Sequence, residues 1–456
     1  MSLHPFNEVN DHLLKKLAGR TECIGKDYSY FKIVQHGIIY AFNATNKKLL
    51  KTYFQWPLFF QIWRYAFVGR NYFFRKKRSF KEILILDPGR DFTEQNKEVR
   101  SAFFDWTRLH LEKNSFSTIC YKSEPKPYAD FSLFDFPIQS FSFSLKEKER
   151  IRDVNDVVKK MYASGHYSSD EMLYVTSCFH VFLEQYLRYF GILKNQSIRK
   201  IYFIAHYHNE GIIAAARDLG ISIVELQHGL ISSKDLYYVY ASPFKSVLEN
   251  ALFPDSILLY GAYWKSILQR GAEWQDAQLK ILGASMLGQE MTQQIIPYQQ
   301  KEKCVLVASQ KGMADLYIPL LEQLIQHLES HSTWRVIVKL HPGEKEIDRY
   351  HRLKHERLEI APLVSSIHTY VQIARAQLSI YSTTLFDASG YEIINMIWLK
   401  RGLGMDYAEE MIEHKMGLSL PENQDPFAIL ENITHPEMHF IDRNHLYSAF
   451  DATQLV

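Results

Sequence analysis

A chain of 456 residues exceeds what one ordinary hydrophobic core fills and leaves room for two domains. Its 46% apolar and 23% charged residues exclude an intrinsically disordered protein, and a net charge of +2 argues against a nucleic-acid binder. Four cysteines (Cys23, Cys120, Cys178, Cys304) stand far apart with no CxxC pair, which fits a reducing compartment and gives no zinc or redox signature.

Met1 to Arg20 is polar and lacks the apolar core of a signal peptide. No uninterrupted apolar run reaches about 18 residues, so a cytoplasmic chain without a membrane span is expected. Phe31 to Phe42, rich in Ile, Val and Tyr, reads as a strand. From Tyr53 to Phe74 aromatic residues crowd among basic ones, ahead of Arg75-Lys76-Lys77-Arg78. The preferred reading is a buried helix whose last turn carries cations. The minority reading is a peripheral seat on the inner face of the cytoplasmic membrane, where basic and aromatic side chains meet anionic lipid. Glu82 to Leu86 is a buried strand closed by Asp87-Pro88-Gly89-Arg90. Asn96 to Leu111 has helical character, Phe131 to Phe143 alternates loosely, and Leu145–Tyr162 and Asp170–Tyr189 read as helices.

Lys200 to Ala205 is a strand, and His206-Tyr207-His208-Asn209-Glu210-Gly211 a loop. Ile212 to Leu219 is an alanine-rich helix closed by Gly220. Ile221 to Leu226 is the next strand, ended by Gln227-His228-Gly229. Such a βαβ unit is parallel and right-handed. Its histidines fall at the carboxyl ends of the strands, where open α/β sheets bind ligands. Ser256 to Tyr260 and Leu279 to Leu282 are further strands, with a helix from about Tyr263 to Gln269 between them. The apolar pattern then fades into a Gln-rich stretch. Domains are expected over 1–288 and 304–456, with a linker at 289–303.

The second half opens with a strand, Cys304 to Ala308, ending in Ser309-Gln310-Lys311-Gly312. Tyr317 to Leu328 is an amphipathic helix with Leu320, Leu321, Leu324, Ile325 and Leu328 on one stripe. Val336 to Leu340 is a buried strand ending at His341-Pro342-Gly343. Leu358–Ile360 is a strand, Ile367–Arg375 a helix, Leu378–Tyr381 a strand and Ile393–Leu399 another. Ser382-Thr383-Thr384 stands between the last two strands, where a helix begins. Strands alternating with helices, twice over, predict an α/β fold of two doubly wound, Rossmann-like domains. Three strand ends of the second domain thus carry polar groups. A helix N-terminus at Ser382–Thr384 would add N–H donors for a phosphate, though plain N-capping explains the same residues. Together they describe a pocket for a nucleotide phosphate.

These residues carry a resemblance. Gln227-His228-Gly229, Lys339-Leu340-His341-Pro342 and Tyr381-Ser382-Thr383-Thr384-Leu385-Phe386-Asp387-Ala388, in that order, resemble the motifs of bacterial capsule and lipopolysaccharide glycosyltransferases of the GT-B fold. They are similar in particular to the group of CDP-glycerol glycerophosphotransferases and CMP-sugar transferases, the sialyl- and Kdo-transferases among them. Tyr260-Gly261-Ala262-Tyr263-Trp264 and the turn at Gly283 are similar to that group's lead into its linker. The likeness covers roughly Lys200 to Leu430. It implies a central cleft between the two domains, a nucleotide-sugar donor with a CMP-linked sugar favoured, and a bacterial surface glycan or lipid-linked glycan as acceptor.

The resemblance also implies roles. His341, followed by Pro342, would hold the donor phosphate with Ser382, Thr383 and Thr384. Ser309 and Gln310 would line the nucleotide pocket, and Lys311, or more weakly Lys339, would meet leaving-group charge. His228 is the candidate base, since a neutral imidazole near pH 7 takes a proton from a hydroxyl. Glu210 is the rival, weakened by a helix N-terminus that lowers its pKa. His206, His208 and Asn209 would stand on the acceptor side, or serve as satisfied loop residues. Asp387 caps its helix or reaches a donor hydroxyl. The second half has no Glu-x7-Glu, and no DxD motif presents itself. An inverting displacement without metal or other cofactor is therefore expected, its charge met by His341 and backbone N–H groups. The alternatives are a polyol-phosphate transferase or sugar-nucleotide epimerase on the same scaffold, and a non-catalytic glycan-binding protein.

Overall fold

The computed structural model describes residues 6–43, 80–89, 91–93, 99–101, 103–112, 115–121, 126–132, 143–271, 273–284, 295–380, 382–388, 390–399 and 410–455. The aromatic and basic stretch 53–78, the first part of the expected linker, Arg90 and Tyr381 lie outside the described residues.

Helix α1 (Phe6–Leu17) leads to α2 (Phe31–Asn43), so the segment expected as a strand is helical. Phe31, Val34 and Ile38, one helical face, are all fully buried. Gly37 lets the α2 backbone press against the long helix that carries Val175: a Cβ there would stand 2.5 Å from Val175 Cα. Close helix packing thus overrode the β-branched composition.

The first sheet uses β1 (Ile83–Asp87), β4 (Phe116–Cys120), β5 (Phe131–Ser132), β6 (Lys200–Phe203), β7 (Ser222–Leu226), β8 (Ser256–Leu259) and β9 (Leu279–Ile281). The region expected to be helical from Asn96 instead holds β3 (Val99–Ser101), antiparallel to β2 (Asp91–Thr93), and then a short α3 (Asp105–His110). Helices α4 (Leu145–Ser164) and α5 (Ser169–Leu193) each start at a capping box, Ser144/Glu147 and Ser168/Glu171. Helix α6 (Glu210–Asp218) crosses from β6 to β7, α7 (Lys245–Leu248) precedes β8, and α8 (Ala262–Leu268) follows it. The strand order is β5-β4-β1-β6-β7-β8-β9, with all neighbours parallel.

The second sheet contains β10 (Glu302–Ala308), β11 (Arg335–Lys339), β12 (Leu358–Ile360), β13 (Ala374–Ser379), β14 (Ile394–Leu399) and β15 (Leu418–Pro421). Its order, β12-β11-β10-β13-β14-β15, is again all parallel. Helices α9 (Ala314–Leu328), α10 (Ile347–His351), α11 (Ile367–Ile373), α12 (Thr384–Asp387) and α13 (Pro426–Glu431) connect these strands or follow the last. The helix expected to run to Arg375 stops at Ile373, because Ala374, Ala376 and Leu378 alternate inward as part of β13. Strand β15 was not expected; its Pro421 is tolerated because the strand is an edge. Both sheets follow the doubly wound Rossmann order, the first with one strand added at the β9 edge. The expected α/β fold of two Rossmann-like domains holds. Among the described residues, no helix is long and apolar enough to cross a membrane.

Helix α14 (Arg443–Leu446) and the residues after it were counted with the second half in the sequence, yet they pack on the first sheet. The Ser448 N–H donates to the Tyr260 carbonyl (2.8 Å), and the Asp451 N–H to that of Leu282 (2.7 Å). Gly261 and Gly283 lie under this segment; a Cβ at either would overlap the backbone of Leu446 or Ala449.

Candidate functional site

Strands β11, β10 and β13 are parallel neighbours, so their carboxyl ends lie on one edge of the second sheet. That edge brings together Ser309-Gln310-Lys311, His341-Pro342 and Ser382-Thr383-Thr384. The chain changes winding direction between β10 and β13, and such a point opens a crevice. Ser309 is buried, and its hydroxyl accepts the His341 N–H at 3.0 Å. The buried Tyr317 hydroxyl, from α9, lies 3.1 Å from the Ala308 carbonyl and 3.2 Å from Gln310 Oε1, and accepts the Ile380 N–H at 3.3 Å. It therefore fixes Gln310 across the ends of β10 and β13.

The buried Glu344 carboxylate accepts backbone N–H groups from Gly312 (3.2 Å), Lys345 (2.8 Å) and Glu346 (3.0 Å). Burial pushes its pKa up, but these donors and nearby His341 outweigh that and hold it below the ordinary carboxylate value. Glu344 thus ties the loop after β10 to the loop after β11. Exposed Lys311 and His341 flank Gly343 in this tie. A Cβ at Gly343 would stand 3.2 Å from Lys311 Cδ and 3.3 Å from His341 Nδ1. The Gly343 N–H donates to His341 Nδ1 at 2.9 Å, so the neutral ring carries its proton on Nε2. A lysine and an imidazole N–H donor on the same loop tie suit an anionic oxygen.

At Ser382 to Thr384 a helix begins, as expected, but it is short. Helix α12 has only four residues, so it offers little of a helix dipole, and its N-cap Thr383 makes no side-chain cap bond. Thr384 is turned inward: its Oγ1 accepts Gln377 Nε2 (2.7 Å) and donates to Ser382 Oγ (2.9 Å). Ser382 and exposed Thr383 remain as donors at this edge. The Asp387 side chain lies outside the described residues. Lys339 is buried with Nζ on the carbonyls of Leu340 (3.3 Å) and Leu363 (3.0 Å), which makes it a brace between loops.

In the first domain, Gln227 clamps the turn after β7. Its Nε2 donates to the Gly229 carbonyl and its Oε1 accepts the Tyr260 N–H, each at 2.8 Å. Half-buried His228 follows, with Nε2 3.2 Å from the Tyr207 hydroxyl. Glu210, the rival base, is held in an internal pair. It is buried and bonded to buried His36 at 2.8 Å. Burial raises its pKa, but His36 and then Lys32 outweigh this and draw it down to about 2. His206 is a satisfied loop residue: it is fully buried, with Nδ1 2.6 Å from Glu225 Oε2 and Nε2 3.0 Å from the Tyr237 carbonyl. His208 is exposed, but its ring packs 4.4 Å from that of His36 and its Nε2 meets the Tyr40 hydroxyl at 3.1 Å. Asn209 braces its own loop, donating to the carbonyls of Ala205 (2.8 Å) and Ile204 (3.3 Å).

Sequence reasoning missed Tyr207, Glu225, Tyr317, Glu344 and Glu410. Glu225 had a signal, a carboxylate inside the apolar run of β7, where burial demands partners. The buried Glu410 carboxylate belongs to the helical turn 410–413. It accepts the Ser233 N–H (2.8 Å) and hydroxyl (3.3 Å) and the Tyr263 hydroxyl (3.2 Å). Phe386 of α12 packs on Trp264 of α8 with ring centroids 5.4 Å apart. The loops that carry His228 and Ser382 therefore both run into the contact between the two halves.

No protein-family model matches the chain, and no curated protein is similar to it. Among solved structures, a UDP-N-acetylglucosamine 2-epimerase is similar over 83% of this chain and 94% of its own, at 10% identity and a TM-score of 0.46. The UDP-GlcNAc 2-epimerase from Neisseria meningitidis bound to UDP-GlcNAc is similar over 80% and 95%, at 10% identity and 0.44. A calicheamicin glycosyltransferase is similar over 79% and 92%, at 12% identity and 0.42.

Proposed function

We propose that the chain is a glycosyltransferase that moves a sugar from a nucleotide-sugar donor to a bacterial surface glycan, with inversion and without a metal. The observation that carries the reading is the tied pair of loops at the carboxyl ends of β10 and β11, with the Lys311 stem and the His341 ring both against Gly343. The donor's phosphate would rest there, with Ser382 and Thr383 beside it and Gln310 lining the nucleotide pocket. His228, from the first domain, would take the acceptor hydroxyl's proton as that oxygen attacks the anomeric carbon. The bond from that carbon to the phosphate oxygen breaks, and the nucleotide leaves with the electron pair. Lys311 and His341 stabilise the charge that gathers on it. Cytidine as the base is favoured by the motif resemblance alone.

Calorimetric titration with CMP, CDP, UDP, GDP and dTDP, followed by product analysis with the sugar-linked form of the best binder, tests the reading. Binding of one nucleotide and glycan extension are expected. Donor isomerised without acceptor indicates an epimerase, glycerol phosphate transferred indicates a polyol-phosphate transferase, and no nucleotide binding points to a scaffold.

A further inference from the structure

The turn after β6 stores backbone strain around a single side chain. Ala205 and His208 both have positive φ, 56° and 68°, a conformation that strains a residue with a Cβ. Neither is the glycine such geometry favours. The strain is held from several directions. Asn209 bonds the carbonyls of Ile204 and Ala205, and Gln185 Nε2 bonds that of His208 at 2.6 Å. His206 is fixed by Glu225 and by the Tyr237 carbonyl. Between the strained residues stands Tyr207. Its ring stacks on Tyr237, with centroids 4.8 Å apart and planes 21° apart, and meets Tyr238 nearly edge-on at 5.7 Å. Its hydroxyl ends 3.2 Å from His228 Nε2. A turn held this firmly in an unfavourable conformation is over-determined, and what it delivers is one phenol to one imidazole.

We propose that the acceptor's proton reaches His228 through the Tyr207 hydroxyl, which makes Tyr207 a second catalytic residue. The inference rests on the glycosyltransferase reading. The relay starts from the arrangement in which Tyr207 donates to Nε2 of neutral His228, with the ring proton on Nδ1. The bound acceptor hydroxyl donates to Tyr207 Oη. As the acceptor oxygen attacks, its proton moves to Tyr207 Oη and the Tyr207 proton moves to His228 Nε2. Tyr207 ends neutral and His228 ends as the imidazolium, with no other reactant consumed. The phenol need never exist as a free phenolate. Half-buried Tyr207 and His228 are both partly accessible from solvent, as the relay requires.

The test compares wild type, Tyr207→Phe and His228→Ala in transfer kinetics, nucleotide titration, thermal melting and 15N spectra of the histidine rings. Tyr207→Phe is expected to lose roughly 100-fold in kcat, within the range of general acid–base catalysis, with nucleotide affinity and melting temperature unchanged. Its His228 Nε2 resonance should move to the position of an imidazole nitrogen without a hydrogen bond. Wild-type transfer matched by Tyr207→Phe overturns the relay and leaves the glycosyltransferase reading standing. An activity loss that only tracks a lower melting temperature makes the hydroxyl structural and also overturns it. A wild type that transfers no sugar sinks both.

Discussion

The Ser309 hydroxyl accepts the backbone N–H of His341 at 3.0 Å, joining the ends of adjacent strands β10 and β11 side chain to backbone. This bond places the two loops that the proposed donor site needs in one fixed relation, before any ligand arrives. Preorganised donors of this kind need little rearrangement on binding a phosphate.

Replacing His341 with alanine should weaken nucleotide binding by roughly 10- to 100-fold, the size expected for losing a hydrogen bond to a charged group. Ser309→Ala should weaken it less, since it loosens the loop without removing the donor. Titration calorimetry on the three proteins decides; equal affinities would remove His341 from the site.

Glu344→Gln keeps the shape of the loop tie but removes its charge. Because the folded carboxyl sits below its ordinary value of 4.5, the ionised group stabilises the fold above that value and loses its contribution as pH falls through the folded value. Wild type and variant should therefore differ in melting temperature at neutral pH and converge in acid. A difference independent of pH would mean that the charge of Glu344 does not hold the loops.

Glu210→Gln separates stability from catalysis. Breaking a buried pair by removing one partner costs about 3–5 kcal/mol, so denaturant unfolding should shift by that order. The folded pKa of about 2 lies below the ordinary 4.5, so the wild-type contribution is full above about pH 4.5 and fades as pH falls towards 2. Transfer per folded molecule should stay near wild type while His228→Ala abolishes it. The opposite pattern would restore Glu210 as the base.

Glu410→Ala strands the Ser233 N–H and the Tyr263 hydroxyl at the contact between the halves. Leaving buried donors unsatisfied costs about 1–3 kcal/mol each. Earlier proteolytic cleavage in the segment after His228 is expected, with the two sheets still folded; unchanged protection there would show that Glu410 is no latch.

Much of the frame was legible in the chain itself. Apolar runs such as Val336 to Leu340 can bury both faces only inside a parallel sheet, and they end at polar residues because the chain must leave the core there. Hence the two Rossmann-like domains, and the places of Ser309, His341 and His228 at strand ends, follow from local pattern. Phe31 to Phe42 reads as a strand yet is helical, because β-branched residues serve a buried helix as well as a strand, and only the close approach of Gly37 to Val175 decides between them.

What tertiary structure alone decided was which polar groups are spent on the protein itself. Sequence offers both Glu210 and His228 as bases, with His228 favoured; the fold buries Glu210 beside His36 and leaves His228 half-buried beside Tyr207. Tyr317, Glu344, Glu410 and the terminal stretch after Arg443 act on residues far along the chain. Periodicity reports only whether a residue faces inward, whereas a hydrogen-bond partner is chosen by packing between distant segments.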